Sequence, residues 1–152
     1  MLILIYMKII DMTLDDISGI TSEILSKAKD IHSSTATVIT LEGDLGAGKT
    51  TLSQALARAL GANGKIISPT FVVMKKYELK KSTYPWKYLI HIDAYRLTKS
   101  QELRNLGWQE IVDNRDNIIL IEWAENVRAC IPSNAYSIKL FHKDEHTREI
   151  KY

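Results

Sequence analysis

Val38-Ile39-Thr40-Leu41-Glu42-Gly43-Asp44-Leu45-Gly46-Ala47-Gly48-Lys49-Thr50-Thr51-Leu52 is the stretch that decides the fold. Val38 to Leu41 form a compact, largely β-branched run that reads as a strand. A glycine-rich turn follows, and then a helix expected over 49–60, with Leu52, Ala55, Leu56 and Ala59 inward and Gly61 as its stop. The turn from Gly43 to Thr50 matches G-x-x-x-x-G-K-[ST] at every fixed position. A strand before the pattern and a helix after it are the setting a phosphate loop requires. Glycines let backbone N–H groups close around a β-phosphate that side chains would obstruct. The helix N-terminus adds partial positive charge. Lys49 is placed to reach β- and γ-phosphates, and the Thr50 hydroxyl to ligate Mg²⁺.

Outward from the loop, two apolar runs at 88–93 and 118–122 each end in a carboxylate, Asp93 and Glu122. Both read as buried central strands. A magnesium nucleotide needs an acidic contact at such a strand tip, although a carboxylate there can also be a surface residue or a helix cap. Spacing does not decide which of the two meets the metal. The N-terminal region reads as a strand at 8–11 and a helix over 14–31. Thr13 is expected as its N-cap, Asp15 and Asp16 in its first turn, and Ile17, Ile20, Ile24, Ala28 and Ile31 along one face. A short helix is expected at 100–106 and further strands at 72–79, 136–141 and 148–152. The expected fold is α/β and P-loop NTPase-like: one domain over 1–152, with a mostly parallel central sheet flanked by helices.

Composition narrows the class further. The chain has 152 residues, with 20 Lys+Arg against 18 Asp+Glu, and 45% of it is hydrophobic, which excludes a charged disordered tail or a polycation. Its single cysteine, Cys130, cannot form an intramolecular disulfide, so a reducing, cytoplasmic setting is expected. The apolar stretch at 1–7 is too short for a bilayer span and lacks the features of a signal peptide, so no membrane association is expected. Charge is unevenly distributed: residues 65–104 carry nine positive side chains against three negative. That segment is either a solvated surface with lysines on an edge strand or a docking face for an acidic partner or RNA. No N-K-x-D guanine signature follows the loop, and the one D-x-x-G string, at 16–19, precedes it, which favours ATP over GTP.

The loop is followed in order by Ser68-Pro69-Thr70-Phe71, His91-Ile92-Asp93-Ala94-Tyr95-Arg96-Leu97, Glu102-Leu103 with Leu106-Gly107, and Ile121-Glu122-Trp123-Ala124-Glu125. This series resembles the TsaE (YjeE) family of bacterial ATPases, which serve threonylcarbamoyladenosine modification of tRNA, and the resemblance runs from about Asp16 to Arg148. It implies that Leu45, Gly46, Ala47, Gly48, Lys49 and Thr50, with Thr51 beside them, wrap the triphosphate of ATP. It implies that Thr50 and Glu122 hold Mg²⁺ and that Asp93 is a Walker-B-like carboxylate supporting the metal or its attacking water. Residues 68–71 would form a switch-like segment and Trp123 would sit beside the site. Further nucleotide contacts would fall at 18–22, including Ser18, and at Thr147 and Arg148. The implied partners are the two related subunits of the threonylcarbamoyl transferase complex, with tRNA met indirectly through that complex. The chain departs from the family in the apolar stretch of its first dozen residues, which makes Met7 a second candidate start, and in Ser26 of the first helix.

Read without the resemblance, several of these residues have plainer roles. Pro69 can fix a turn, Trp123 can be core, and His91 can be a hydrogen-bonded core histidine. Arg96 has Asp93 and Glu102 as alternatives to a phosphate, and Cys130 has no metal-ligand spacing around it. The rival function is a small P-loop kinase. It would need an acceptor pocket and an arginine-bearing lid, and the lysine-rich segment 77–86 contains no Arg.

Overall fold

The computed structural model describes residues 7–80 and 82–152. Most of the apolar run at 1–7, and Lys81 of the basic stretch, therefore lie outside the described residues. The elements, in order, are β1 (Ile9–Met12), α1 (Ile17–Asp30), β2 (Thr37–Glu42), α2 (Lys49–Ala59), β3 (Met74–Glu78), β4 (Tyr88–Asp93), α3 (Ser100–Asn105), α4 (Trp108–Asp113), β5 (Asn117–Glu122), a 3₁₀ segment (Ala124–Cys130), β6 (Tyr136–His142) and β7 (Arg148–Lys151). The strands form one mixed sheet ordered β1-β7-β6-β2-β5-β4-β3. Its centre, β6-β2-β5-β4, is parallel, and its flanks pair antiparallel. The result is the α/β, P-loop NTPase-like class expected from the sequence.

Central strands in a sheet covered on both faces must be apolar in both directions, which is why β5 is buried at every position. Ile118 and Leu120 join Ile39, Leu41 and Leu89 in the core under α1 and α2. Ile119 and Ile121 point the other way, to Val38, Ile90, Ile92, Leu103 and Trp108 under α3, α4 and the 3₁₀ segment. Register brings Asp93 level with Glu122, and Leu41 level with Glu122 on the other side. The strand ends that face the glycine loop are thus aligned by backbone pairing alone.

Local differences from the sequence reading have physical causes. Thr13 does not cap α1. Its N–H and hydroxyl instead donate to the Asp16 carboxylate at 2.9 and 2.7 Å, so the turn closes early and the helix starts at Ile17. Neither Asp15 nor Asp16 lies in the first turn. The buried face of α1 adds Thr21 and Leu25, while Ile31 is exposed. In α2, Ser53 and Ala57 face inward in place of Ala55 and Ala59. Ser53 is buried because its hydroxyl donates to the Lys49 carbonyl at 2.8 Å. Gly61 does stop α2: its N–H and that of Ala62 return to Arg58 and Ala57, closing a left-handed cap at φ 78°.

Candidate functional site

The loop between β2 and α2 turns sharply upward at Gly43, whose φ is 148°. A Cβ there would lie 2.4 Å from the Leu140 carbonyl oxygen of β6, so only glycine lets the two backbones pass. Gly48 then enters α2 in the left-handed region, with φ 102°. A cleft of about 370 Å³ opens over this loop, lined by Leu45, Gly46, Gly48, Lys49, Thr50, Thr51, Thr70, Asp93, Tyr95, Glu122, Trp123 and Arg148. Of the residues the sequence nominated, Ala47 is buried behind the loop and Ser18 is exposed on α1, outside the cleft wall.

Three linked sets of contacts organise the cleft. The Thr50 hydroxyl donates to Glu122 Oε2 at 3.0 Å, and His91 Nε2 sits 2.8 Å from Glu122 Oε1. Glu122 is 1% exposed. Burial pushes its carboxyl up, but the His91 contact and the hydroxyls against it outweigh burial, and the net direction is down. The second set ties Asp93 to the 68–71 segment. Thr70 donates to Asp93 Oδ2 at 2.8 Å, the Ser68 hydroxyl lies 3.4 Å from the same oxygen, and the Tyr95 N–H donates to Oδ1 at 2.9 Å. Pro69 fixes the turn beneath, its carbonyl accepting from Val72 and Val73.

The third set belongs to Lys49. Its ammonium donates to the carbonyls of Gly43 and Asp44 and lies over the Trp123 indole. Burial pushes the Lys49 ammonium below its ordinary range, against the pull of Glu125, Glu122, Asp44 and Asp93. Trp123 is therefore beside the site, half-buried rather than core, and its ring leans on Tyr95 with centroids 5.0 Å apart. Arg96 pairs with neither Asp93 nor Glu102; its guanidinium covers the Phe71 ring at 4.8 Å. Glu102 instead accepts from Thr98 and Lys99 at the start of α3.

A second cavity, of about 610 Å³, adjoins the cleft through Gly48, Thr51 and Arg148. Its walls are Met12, Thr13, Leu14, Asp15 and Ile17 on one side and Glu145 and His146 on the other. Only the fold brings the β1–α1 connection against the β6–β7 turn.

Two carboxylates and a hydroxyl are hard oxygen donors, the kind Mg²⁺ prefers. The ion takes one or two carboxylates and fills its octahedron with water and phosphate oxygens. The donor set suits Mg²⁺ beside a polyphosphate.

A strand, a glycine loop and a helix at the middle of a mixed sheet, with acidic residues at the tips of β4 and β5, define a P-loop NTPase-like α/β protein. The family model described as "Threonylcarbamoyl adenosine biosynthesis protein TsaE" matches residues 18–150, and the chain belongs to that family. It is 34% identical over 124 residues to the tRNA threonylcarbamoyladenosine biosynthesis protein TsaE of Haemophilus influenzae, covering 82% of this chain and 73% of that one. With the protein of the same name from Bacillus subtilis it shares 36% over 115 residues, 76% of this chain and 68% of the relative. The crystal structure of Bacillus subtilis YdiB superposes with a TM-score of 0.63 at 27% identity, covering 95% of this chain and 84% of that one.

His91, Tyr95 and Glu125 are the parts the sequence argument left without a role at the site. All three lie inside the quoted motifs, so the motif was seen and the contacts were not. No helix among the described residues is long and apolar enough to cross a membrane.

Proposed function

We propose that this chain is a Mg²⁺-dependent ATPase that acts in tRNA threonylcarbamoyladenosine biosynthesis, in the cytoplasm, as a single domain. The reading rests above all on one observation: Thr50 of the loop and Glu122 of β5 share a hydrogen bond at the floor of a cleft that also holds Lys49 and Asp93. Thr50 and Glu122, with Asp93 beside them, would hold the ion, which when bound neutralises phosphate charge. Loop N–H groups, the α2 N-terminus, Lys49 and Arg148 surround the triphosphate position. Asp93, held by Thr70 and Tyr95, is placed to orient an attacking water. The adjoining cavity takes the nucleoside.

The same reading includes the two related subunits of the threonylcarbamoyl transferase as partners, with tRNA reached through them. Leu45 of the cleft wall, and Phe71 and Val72 just after the Thr70 that holds Asp93 there, are 81%, 85% and 65% exposed. Such a rim is what a protein partner buries. A second reading, a small kinase, draws on the 610 Å³ cavity as an acceptor pocket. Phosphate release separates the two. With ATP and Mg²⁺, inorganic phosphate is expected, with or without added metabolite. Transfer to a small acceptor in place of release would establish the kinase.

A further inference from the structure

We infer that His91 is the positioning residue for Glu122, holding one carboxylate oxygen so that the other is kept for Thr50 and the metal. The inference rests on the Mg²⁺-nucleotide reading of the cleft.

His91 lies in mid-strand on β4, level with Leu120 of β5 and Lys75 of β3, and is fully buried. A polar ring at the heart of a sheet costs free energy unless it is hydrogen-bonded. Its Nε2 meets Glu122 Oε1 at 2.8 Å, whereas Nδ1 has no partner among the described residues. A ring placed merely to fill the core would be better replaced by a leucine, which leaves no orphan nitrogen. The one polar contact that explains His91 is the carboxylate.

Geometry assigns the donor. Glu122, in the ionised form that a metal-binding carboxylate takes, can only accept, so Nε2 carries the hydrogen. Thr50 donates to Oε2 and His91 to Oε1, so each oxygen has its own donor and the carboxylate plane is pinned. With Oε1 occupied from behind, Oε2 points at Thr50 and the loop. Partners of this kind set the orientation of a ligating group, and their loss commonly weakens metal binding about 10- to 100-fold.

The test compares His91→Leu, which removes the donor, with His91→Gln, whose amide N–H can reach the same oxygen. Each variant and the native chain are given ADP, and Mn²⁺ uptake is measured by electron paramagnetic resonance, with ADP affinity in chelator measured alongside. His91→Leu is expected to weaken Mn²⁺ uptake about tenfold or more while ADP binding in chelator stays within about twofold. His91→Gln is expected to recover most of the Mn²⁺ loss. Native Mn²⁺ affinity in His91→Leu, or no recovery in a folded His91→Gln, overturns the inference. A readout from the other side covers the case in which His91→Leu does not fold. In the chain without nucleotide, the His91 Nε2–H proton resonance is expected to move in Glu122→Gln, and an unmoved resonance also overturns the inference. Failure of the native chain to take up ADP and Mn²⁺ would instead count against the ATPase reading, and the imidazole resonance would still report on the pair.

Discussion

Lys49 lies across the face of Trp123, its ammonium nitrogen 3.9 Å from the indole centroid. The same ammonium donates to two carbonyls of its own loop, so in this state its charge is spent on the protein. A phosphate must draw it away from the indole. Trp123 in turn holds a left-handed backbone at φ 57°, which costs a non-glycine residue about 1–2 kcal/mol and is held by the Trp123 N–H to Leu41 carbonyl bond at 3.1 Å.

Trp123 emission is therefore expected to change when ADP binds. Trp86 and Trp108 are buried in the two cores and line neither cavity, so they provide a constant background. The signal should vanish in Trp123→Phe. An undiminished ADP response in that variant would show that the lysine–indole contact is not what the ligand disturbs.

Lys49→Ala removes a charge-assisted contact with phosphate. Nucleotide affinity or turnover should fall at least tenfold, about 1.4 kcal/mol. Calorimetric titration with ATP and Mg²⁺ checks it, and native values in the variant would remove the phosphate-loop assignment.

Glu122→Gln preserves volume but loses the hard anionic ligand. Hydrolysis is expected to collapse with the fold retained and a smaller loss in nucleotide affinity. Asp93→Asn should impair turnover as well, and Thr70→Val, which removes a donor to Asp93, should reduce turnover more than ATP affinity. Steady-state phosphate release beside equilibrium ATP binding separates these effects. Equal losses of both in Thr70→Val would place Thr70 in binding alone.

The glycine positions give a stability contrast. Gly43→Ala meets the Leu140 carbonyl backbone and is expected to cost at least about 2 kcal/mol. Gly46→Ala, at φ 80° with no atom within 4 Å of the new Cβ, should cost only the left-handed penalty of about 1 kcal/mol. Urea unfolding midpoints of the two variants measure the difference, and equal midpoints would show that the β2–β6 approach is not as close as described.

The basic segment has a salt-sensitive test. Lys75 and Lys76 lie on the edge strand β3, against the rings of Tyr77 and Tyr88, and Lys80 is 3.5 Å from Glu78. Reversing Lys75, Lys76, Lys80 and Lys81 to Glu should leave basal ATP turnover unchanged and reduce stimulation by the transferase subunits, most clearly at low salt. Full stimulation at low salt would return these lysines to the plainer role of protecting an edge strand.

The sheet and the loop were legible because their signals are local. Runs such as Tyr88–Asp93 and Asn117–Glu122 carry their burial in five or six consecutive residues, and the loop carries its turns in its glycines. What escaped depended on distance along the chain. His91 and Glu122 are 31 positions apart, and no pattern of either strand alone says that they touch. Charge complementarity in the sequence offers Arg96 two carboxylates as alternatives to a phosphate, while the fold gives it the Phe71 ring. Alanines at 55 and 59 imitated an inward face that Ser53 and Ala57 supply. The second cavity was hinted at only by the nucleotide contacts that the resemblance implies at 18–22 and 147–148, since its walls lie far apart in sequence.

One wall of the second cavity is built from residues 12–17 and the other from residues 145–148, synthesised much later, and β1 finds its neighbour only when β7 arrives. On the ribosome, the central strands and the glycine loop can assemble long before this corner closes, because contacts between residues far apart in sequence form slowly and late. A nascent chain with its loop already shaped would thus have no complete cavity beside it. Occupancy of that corner would distinguish molecules in which β7 has docked beside β1 from those in which it has not.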